Sequence, residues 1–176
     1  MDADAILIDA FTRIPTEVES ATVGLSADGL AFRPDPAANS IGWLVWHLTR
    51  VQDHHVSELA GRRQLYTSEG WANRLGMEPD PADIGFGHSA DQVAAVRFDE
   101  PGPVVAYLGA VTERTLEYVS SIDAAGLDRI VDRRWDPPVS AGVRLVSVIG
   151  DCMQHAGQAR YVRGIYDRQS GGSAPG

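Results

Sequence analysis

The stretch from Leu145 to Tyr166 constrains the fold most, because its residues repeat at the spacing of an amphipathic helix. Seven of them fall on one side when the chain is wound at 3.6 residues per turn. They are Leu145, Val148, Ile149, Cys152, Ala156, Ala159 and Tyr166. The pattern predicts a long helix packed against a core. His155 lies within this apolar arc, and Asp151 lies one turn earlier at its edge.

Asp151 and His155 form the first candidate functional pair. Side chains four residues apart stand about 6 Å apart on one helix face, so both can reach one ion. Alone, the pair is weak evidence, because a single inward histidine is more often a core residue hydrogen-bonded to a neighbour. A metal site needs a further ligand from elsewhere in the chain.

Three earlier segments have the same helical periodicity, over residues 4–22, 41–60 and 101–119. Asn39 or Ser40 is a suitable N-cap for the second of them. Four amphipathic helices with long connections predict an all-α four-helix bundle, whose core is a usual place for a metal site. The connections are expected to carry short helices.

The connection over residues 62–99 is irregular and long for a small domain. Such a segment is usually a lid or a binding loop, although a plain connector is nearly as common. Ser68 is a candidate cap for one short helix, and Ser89 or Asp91 for another. We predict that His88, in the same segment, is exposed to solvent.

The second helix offers three histidines. His47 and His54 lie on the same edge of its apolar stripe, and His55 points into the middle of it. Seven residues at a rise of 1.5 Å separate His47 from His54 by roughly 10.5 Å. Only one of these two can therefore join a mononuclear site with the pair on the last helix.

Composition excludes several classes of partner. A formal net charge of −9 and a pI near 4.9 argue against binding to nucleic acid or to an anionic membrane. The acidic N-terminus lacks the features of a signal peptide, and no window approaches 18 apolar residues. The single cysteine, Cys152, cannot form an internal disulfide and is interpreted as a buried apolar residue. These features predict a cytoplasmic protein.

The chain of 176 residues is long enough for one domain with a real core. We place this domain at residues 1–167 and a flexible tail at residues 168–176, where Gly and Ser are frequent.

Four segments in order, SIGWLVWHLTRVQDHH, GWANRLGM, GHSADQVAAVR and DCMQHAGQARYVRGIY, give the chain a family resemblance. Together they resemble the DinB-like superfamily of metal-binding bundles over about residues 4–167. The nearest part of that superfamily is its actinobacterial branch, close to the metal-binding domain of mycothiol-dependent maleylpyruvate isomerase.

The resemblance implies a divalent metal, commonly zinc or nickel, held by His47, Asp151 and His155, with His54 as the main rival ligand. The isomerase pattern has Glu at the position of Asp151. An aspartate is one methylene shorter, so it must lie closer to the metal or bind through water. The isomerase also has a second domain that this chain is too short to supply, so its isomerisation does not transfer.

Two histidines and one carboxylate leave coordination positions open, as in catalytic rather than structural sites. The favoured hypothesis is a metal-dependent S-transferase that directs a low-molecular-weight thiol, such as mycothiol, at an electrophilic small molecule. Five residues are candidates to line the site's mouth and bind substrate: Trp46, Arg50, Trp71, Trp135 and Arg160.

Two alternatives remain open at this point. One is a non-enzymatic, stress-related metal-binding or scaffold dimer, and analogy with relatives also suggests a homodimer. The other is metal-assisted hydrolysis, which requires a general base near the bound water. Glu58 and Asp53 have uncertain orientations, so hydrolysis ranks last.

Overall fold

The structure is a computed structural model that describes residues 2–171, and four helices of 20 or more residues form its framework. In chain order the elements are α1 (Ala3–Thr22), α2 (Ala27–Ala31), α3 (Ile41–Ala60), α4 (Leu65–Ser68), α5 (Trp71–Arg74), α6 (Ala90–Ala95), α7 (Gly102–Ser121), α8 (Ala124–Asp128), β1 (Ile130–Asp132), β2 (Val139–Ser140) and α9 (Ala141–Gln169). The prediction of an all-α four-helix bundle with short helices in its connections is confirmed.

The four long helices α1, α3, α7 and α9 pack as a ring. Helix α9 lies against α1 and α3, and α7 lies against the same two helices from the other side. Fully buried side chains from each helix fill the centre, among them Phe11, Leu48, Tyr107 and Leu145. The groove between α3 and α9 therefore brings the histidines of α3 next to the Asp and His of α9.

Helix α3 is the most enclosed element of the fold, because 16 of its 20 residues are buried. It begins at the predicted cap, where the Ser40 side chain accepts a hydrogen bond from the Trp43 amide, and it ends at Gly61 with a φ of 63°. α7 and α9 cover one side of α3. Residues 62–99, which we call the lid segment, cover the other.

Asp53 on α3 is the main anchor of the lid segment. Its carboxylate accepts hydrogen bonds from the backbone amides of Leu65 and Tyr66 at 3.0 and 2.8 Å. The same carboxylate accepts from the hydroxyls of Ser57 and Tyr107. Asp53 is 1% exposed, so these bonds form inside the protein. The lid segment is thus a packed part of the domain.

The connection from α7 to α9 contains more regular structure than its sequence suggests. After α8, strands β1 and β2 form an antiparallel hairpin that pairs Ile130 with Ser140 and Asp132 with Val139. Ser140 caps α9 in the same way as Ser40 caps α3, because its side chain accepts a hydrogen bond from the Val143 amide.

The last helix extends past the predicted domain boundary, since Arg168 and Gln169 belong to α9. Residues 172–176 of the predicted tail lie outside the described residues. Within residues 2–171, no helix is both long and apolar enough to span a membrane.

Candidate metal centre

His47, Asp151 and His155 come together in the groove between α3 and α9. One ligand atom from each lies within 4.8 Å of the other two. His155 Nε2 is 3.6 Å from Asp151 Oδ1, and the rings of His47 and His155 meet edge to face with centroids 4.7 Å apart. Ligands on one zinc ion at about 2 Å stand roughly 3–4 Å apart. Small side-chain movements are enough to bring this triad to that spacing.

The ring of His47 is held in one orientation. Its Nδ1 pairs with the backbone carbonyl oxygen of Ile84 in the lid segment, and the Trp43 ring stacks on it with centroids 4.6 Å apart. An N–H on Nδ1 that donates to a carbonyl leaves Nε2 as the free ligand atom, a common arrangement around metals. Burial lowers the pKa of His47, which keeps the imidazole in the neutral form that binds metal.

Asp151 supplies the observation that best tests whether the triad suits a cation. Its Oδ2 is buried and has no hydrogen-bond partner among the described residues. A buried carboxylate oxygen without a partner is costly unless something positive or protic compensates it. A divalent cation bound by the two imidazoles would provide that compensation, so the donor set fits a zinc- or nickel-type ion.

The triad is open to solvent on the side of α9. The side chains of Asp151 and His155 are 37% and 19% exposed, while His47 is 5% exposed. Asp151 also lines a pocket of about 130 Å³ that continues along the groove to His55 and Arg144. Three protein ligands with an open side leave room for an exogenous ligand.

Gly85 lets the lid segment approach the triad. Its φ is 85°, and a Cβ there would lie 3.0 Å from His47 Nδ1 and 2.9 Å from the Trp46 ring. We expect Gly85→Ala to strain the backbone and push the neighbouring Ile84 carbonyl away from His47. Loss of such a supporting contact typically weakens metal binding 10–100-fold, so we expect about a tenfold weaker zinc affinity in a chelator competition titration.

Gly87 provides the control for this prediction. It also has a positive φ, of 77°, but a Cβ there would meet no atom of residues 2–171 within 4 Å. Gly87→Ala should show the backbone strain without the effect on zinc. Equal losses in the two variants would contradict the role given to Gly85.

The prediction that His88 is exposed is wrong. Its side chain is 10% exposed, because the lid segment folds back onto α3. His88 Nδ1 accepts from the Trp43 indole at 3.2 Å, and Nε2 lies 2.9 Å from Asp83 Oδ1. The residue thus supports the Trp43 ring that stacks on His47.

The predicted position at the mouth of the site is wrong for three of the five residues, Trp46, Arg50 and Trp71. Trp46 and Arg50 are 0% exposed and Trp71 is 9% exposed, so their side chains belong to the core. The Arg50 guanidinium donates to the backbone carbonyls of Pro81 and Asp83. It therefore fixes the part of the lid segment that precedes Ile84.

The other two proposed mouth residues lie on the surface. Arg160 pairs with Glu17 of α1, on the opposite side of α9 from the triad. Trp135 is 65% exposed, in the turn between β1 and β2. The rival ligand His54 pairs through Nδ1 with the Gln64 amide at 3.0 Å and is absent from the triad. Cys152 is buried, and burial raises the pKa of its thiol well above the ordinary value.

A sequence model of the mycothiol-S-transferase family matches residues 6–168, which is nearly the whole chain. The chain belongs to this mycothiol S-transferase family. The family assignment confirms the resemblance to the DinB-like superfamily and associates the fold with thiol chemistry.

A solved structure resembles this family member closely. It is the crystal structure of a conserved protein from Enterococcus faecalis, which has 29% sequence identity and a TM-score of 0.86. The alignment covers 93% of this chain and 96% of the other. No curated protein matches the sequence.

The acid stability of this mycothiol S-transferase family member should depend on His55. Burial, followed by the nearby His54 and Arg144, lowers the pKa of His55 to about 4. Below its ordinary pKa of about 6.5 the unfolded chain takes up a proton that the folded protein does not, so stability is lost as pH falls from 6.5 towards 4. The loss is about 2 kcal/mol at pH 5. We expect the free energy of unfolding of His55→Gln, measured with urea, to fall by that much less than the wild-type value as the pH is lowered to 5. An equal fall in both proteins would contradict the prediction.

Proposed function

We propose that the protein is a metal-dependent S-transferase that joins a low-molecular-weight thiol, mycothiol or a close analogue, to an electrophilic small molecule. The identity of the metal, zinc or nickel, remains a prediction. A cytoplasmic location of the protein and the homodimer suggested by the resemblance remain predictions too. The family assignment supports the thiol, and the triad supports the metal.

The observation that carries the proposal is the partly open triad, in which one carboxylate oxygen of Asp151 has no hydrogen-bond partner within residues 2–171. His47 is fixed from behind by the Ile84 carbonyl, whereas Asp151 and His155 face the groove. A metal centre used for storage or structure usually has four protein ligands and no open position. The arrangement favours a centre that takes a ligand from solution.

A divalent cation in the triad would lower the pKa of a thiol and hold it as the thiolate at neutral pH. The protein's own contribution is positional. Asp151 supplies a negative charge that would balance the cation, and burial keeps His47 neutral. The rings of Trp43 and Trp46 close the side of His47 that faces the lid segment and exclude water there. The electrophile then has one route of approach, along the groove between α3 and α9.

The test is metal analysis of untagged protein followed by a conjugation assay with mycothiol and 1-chloro-2,4-dinitrobenzene. We expect about one equivalent of metal per chain and thioether formation well above the rate without protein. Removal of the metal with a chelator should abolish this excess rate, and addition of zinc or nickel should restore it.

Two results would count against the proposal. One is a protein that retains no metal even after reconstitution, and the other is a conjugation rate that stays the same with and without the loaded protein across several electrophiles. The second result, with metal bound, would favour the non-enzymatic alternative.

A further inference from the structure

A second, larger pocket lies at the far end of the groove from the metal centre. It has a volume of about 430 Å³ and is bounded by the end of α3, the β1–β2 hairpin and the first turns of α9. We call it the hairpin pocket. Three arginines line it, Arg133, Arg134 and Arg144, against two carboxylates, Asp132 and Glu58. In a chain with a formal charge of −9, this local excess of positive charge is unusual.

The arginines keep most of their hydrogen-bonding capacity free. Asp132 accepts from Arg134 at 2.8 and 3.0 Å and from one nitrogen of Arg144 at 3.2 Å. Arg133 makes no hydrogen bond or ion pair with residues 2–171. An arginine has five N–H donors in a fork that matches the oxygens of a carboxylate or phosphate. Asp132 therefore positions two of the guanidinium groups without saturating them.

The same pocket contains a group of side chains that resembles a metal site. Ligand atoms of His54, His55 and Glu58 lie within 4.8 Å of one another. A cation there would lie in the same pocket as the three guanidinium groups, and like charges close together repel each other. The Glu58 side chain is also 69% exposed, and His54 Nδ1 is already paired with Gln64. The charges around this group favour an anion over a cation.

The hairpin pocket lies next to a smaller pocket that reaches the metal centre. The smaller pocket of about 130 Å³ shares His55 and Arg144 with the hairpin pocket, and it reaches Asp151 of the triad. Arg144 and Asp151 are seven residues apart on α9, which corresponds to about 10.5 Å at the rise of an α-helix. One elongated molecule can therefore touch both places.

We propose that the hairpin pocket binds an acidic group, a carboxylate or phosphate, of one of the two substrates, whose reacting atom lies about 10 Å away at the triad. This inference rests on the proposed function, since it assigns a substrate class to the same groove. Arg133 and Arg144 hold the acidic group, and the groove between α3 and α9 holds the chain that links it to the reacting atom.

The first part of the test measures anion binding and requires no turnover. The affinity of the metal-loaded protein for glutarate, measured by calorimetry, should be about tenfold weaker in Arg133→Gln than in wild type. Arg13→Gln is the matched control, because it removes the same charge from an exposed position on α1 and should leave glutarate affinity unchanged. Equal affinity in wild type and Arg133→Gln would overturn the proposal.

Glu58→Gln separates the anion from the cation interpretation by the sign of its effect. Removal of this carboxylate should strengthen glutarate binding, because it removes repulsion. If the His54, His55 and Glu58 group instead held a metal, wild type would bind two equivalents and Glu58→Gln only one. A second equivalent lost in this way would overturn the proposal.

The second part of the test identifies which substrate carries the acid. The acidic 6-maleimidohexanoate is compared with the neutral N-hexylmaleimide as electrophile, and 6-mercaptohexanoate with 6-mercaptohexanol as thiol. With a maleimide, the thiolate sulfur forms a bond to one alkene carbon, the C=C π bond breaks, and the other carbon takes a proton from water. We expect about a tenfold preference in kcat/KM for the acid in one of the two pairs, and its loss in Arg133→Gln.

The outcomes keep the two proposals distinct. No acid preference in either pair, with turnover intact, would overturn the hairpin-pocket proposal and leave the S-transferase proposal standing. Glutarate binding that depends on Arg133 in a protein without turnover would contradict the S-transferase proposal and support the anion pocket.

Discussion

Asp53→Ala is expected to destabilise the protein by about 3–5 kcal/mol, the range for removing one partner of a buried ion pair. Asp53 and Arg50 are 1% and 0% exposed, with Arg50 Nη1 3.7 Å from Asp53 Oδ2. The substitution leaves the guanidinium without its counter-charge. It also leaves the buried amides of Leu65 and Tyr66 and the hydroxyl of Tyr107 without an acceptor. Urea unfolding followed by far-ultraviolet circular dichroism measures the loss.

Two further variants make this result interpretable. Asp9→Ala breaks an exposed ion pair with Arg13, whose contribution to stability should be small because solvent screens it. Asp53→Asn keeps the size of the side chain and part of its hydrogen bonding, so it should lose less stability than Asp53→Ala. It should therefore remain folded even if Asp53→Ala unfolds. A loss below about 1 kcal/mol in Asp53→Ala would mean that the lid segment does not depend on this carboxylate.

The sequence predicts the long helices well because each carries a local signal. Ser40 and Gly61 bound α3 through contacts within a few residues, and the apolar stripe on α9 is visible in one stretch of chain. The hairpin of β1 and β2 has only three- and two-residue strands, which carry too little periodicity to be recognised. Its position depends on contacts with α9.

Periodicity also underestimates the burial of α3. An apolar stripe predicts one buried face, and polar residues outside it are then assigned to the surface. The sequence therefore predicts Arg50 at the mouth of the site. In the fold, the lid segment covers the second face of α3, and Arg50 is enclosed by carbonyl oxygens and the Tyr66 ring. No local sequence pattern predicts this burial, because the hydrogen-bond partners of Arg50 lie 14 to 57 residues away in the chain.

The grouping of His47, Asp151 and His155 is implied by the family resemblance, and within one stretch of sequence only the four-residue spacing of Asp151 and His155 supports it. What the sequence could not supply is the support behind the site. The partner of His47 is the backbone carbonyl of Ile84, which every residue type possesses. Gly85 is the one sequence signal there, since glycine next to a buried histidine allows a close backbone approach.

His155→Ala is expected to weaken zinc binding by about 10²–10³-fold. Four-ligand zinc sites gain about 10–16 kcal/mol on binding, or roughly 2.5–4 kcal/mol per ligand, which corresponds to about that factor. His155 is 19% exposed, and among residues 2–171 its Nδ1 pairs with Gln158 on the same helix while its ring packs against the rings of His47 and Trp43. Because this substitution removes ring packing and no buried hydrogen bond, it should lower the free energy of unfolding of the metal-free protein by only about 1 kcal/mol. Chelator competition measures the affinity, and thioether formation should fall with zinc occupancy.

His54→Ala is the matched control for His155→Ala, because His54 is the rival ligand and lies outside the triad. It should keep the wild-type zinc affinity, whereas His47→Gln should lose it as His155→Ala does. Because His47 is buried and neutral, glutamine at this position retains the packing and the bond to the Ile84 carbonyl but offers a poor ligand atom. Zinc binding that survives in His47→Gln and fails in His54→Ala would transfer the metal centre to the other end of α3.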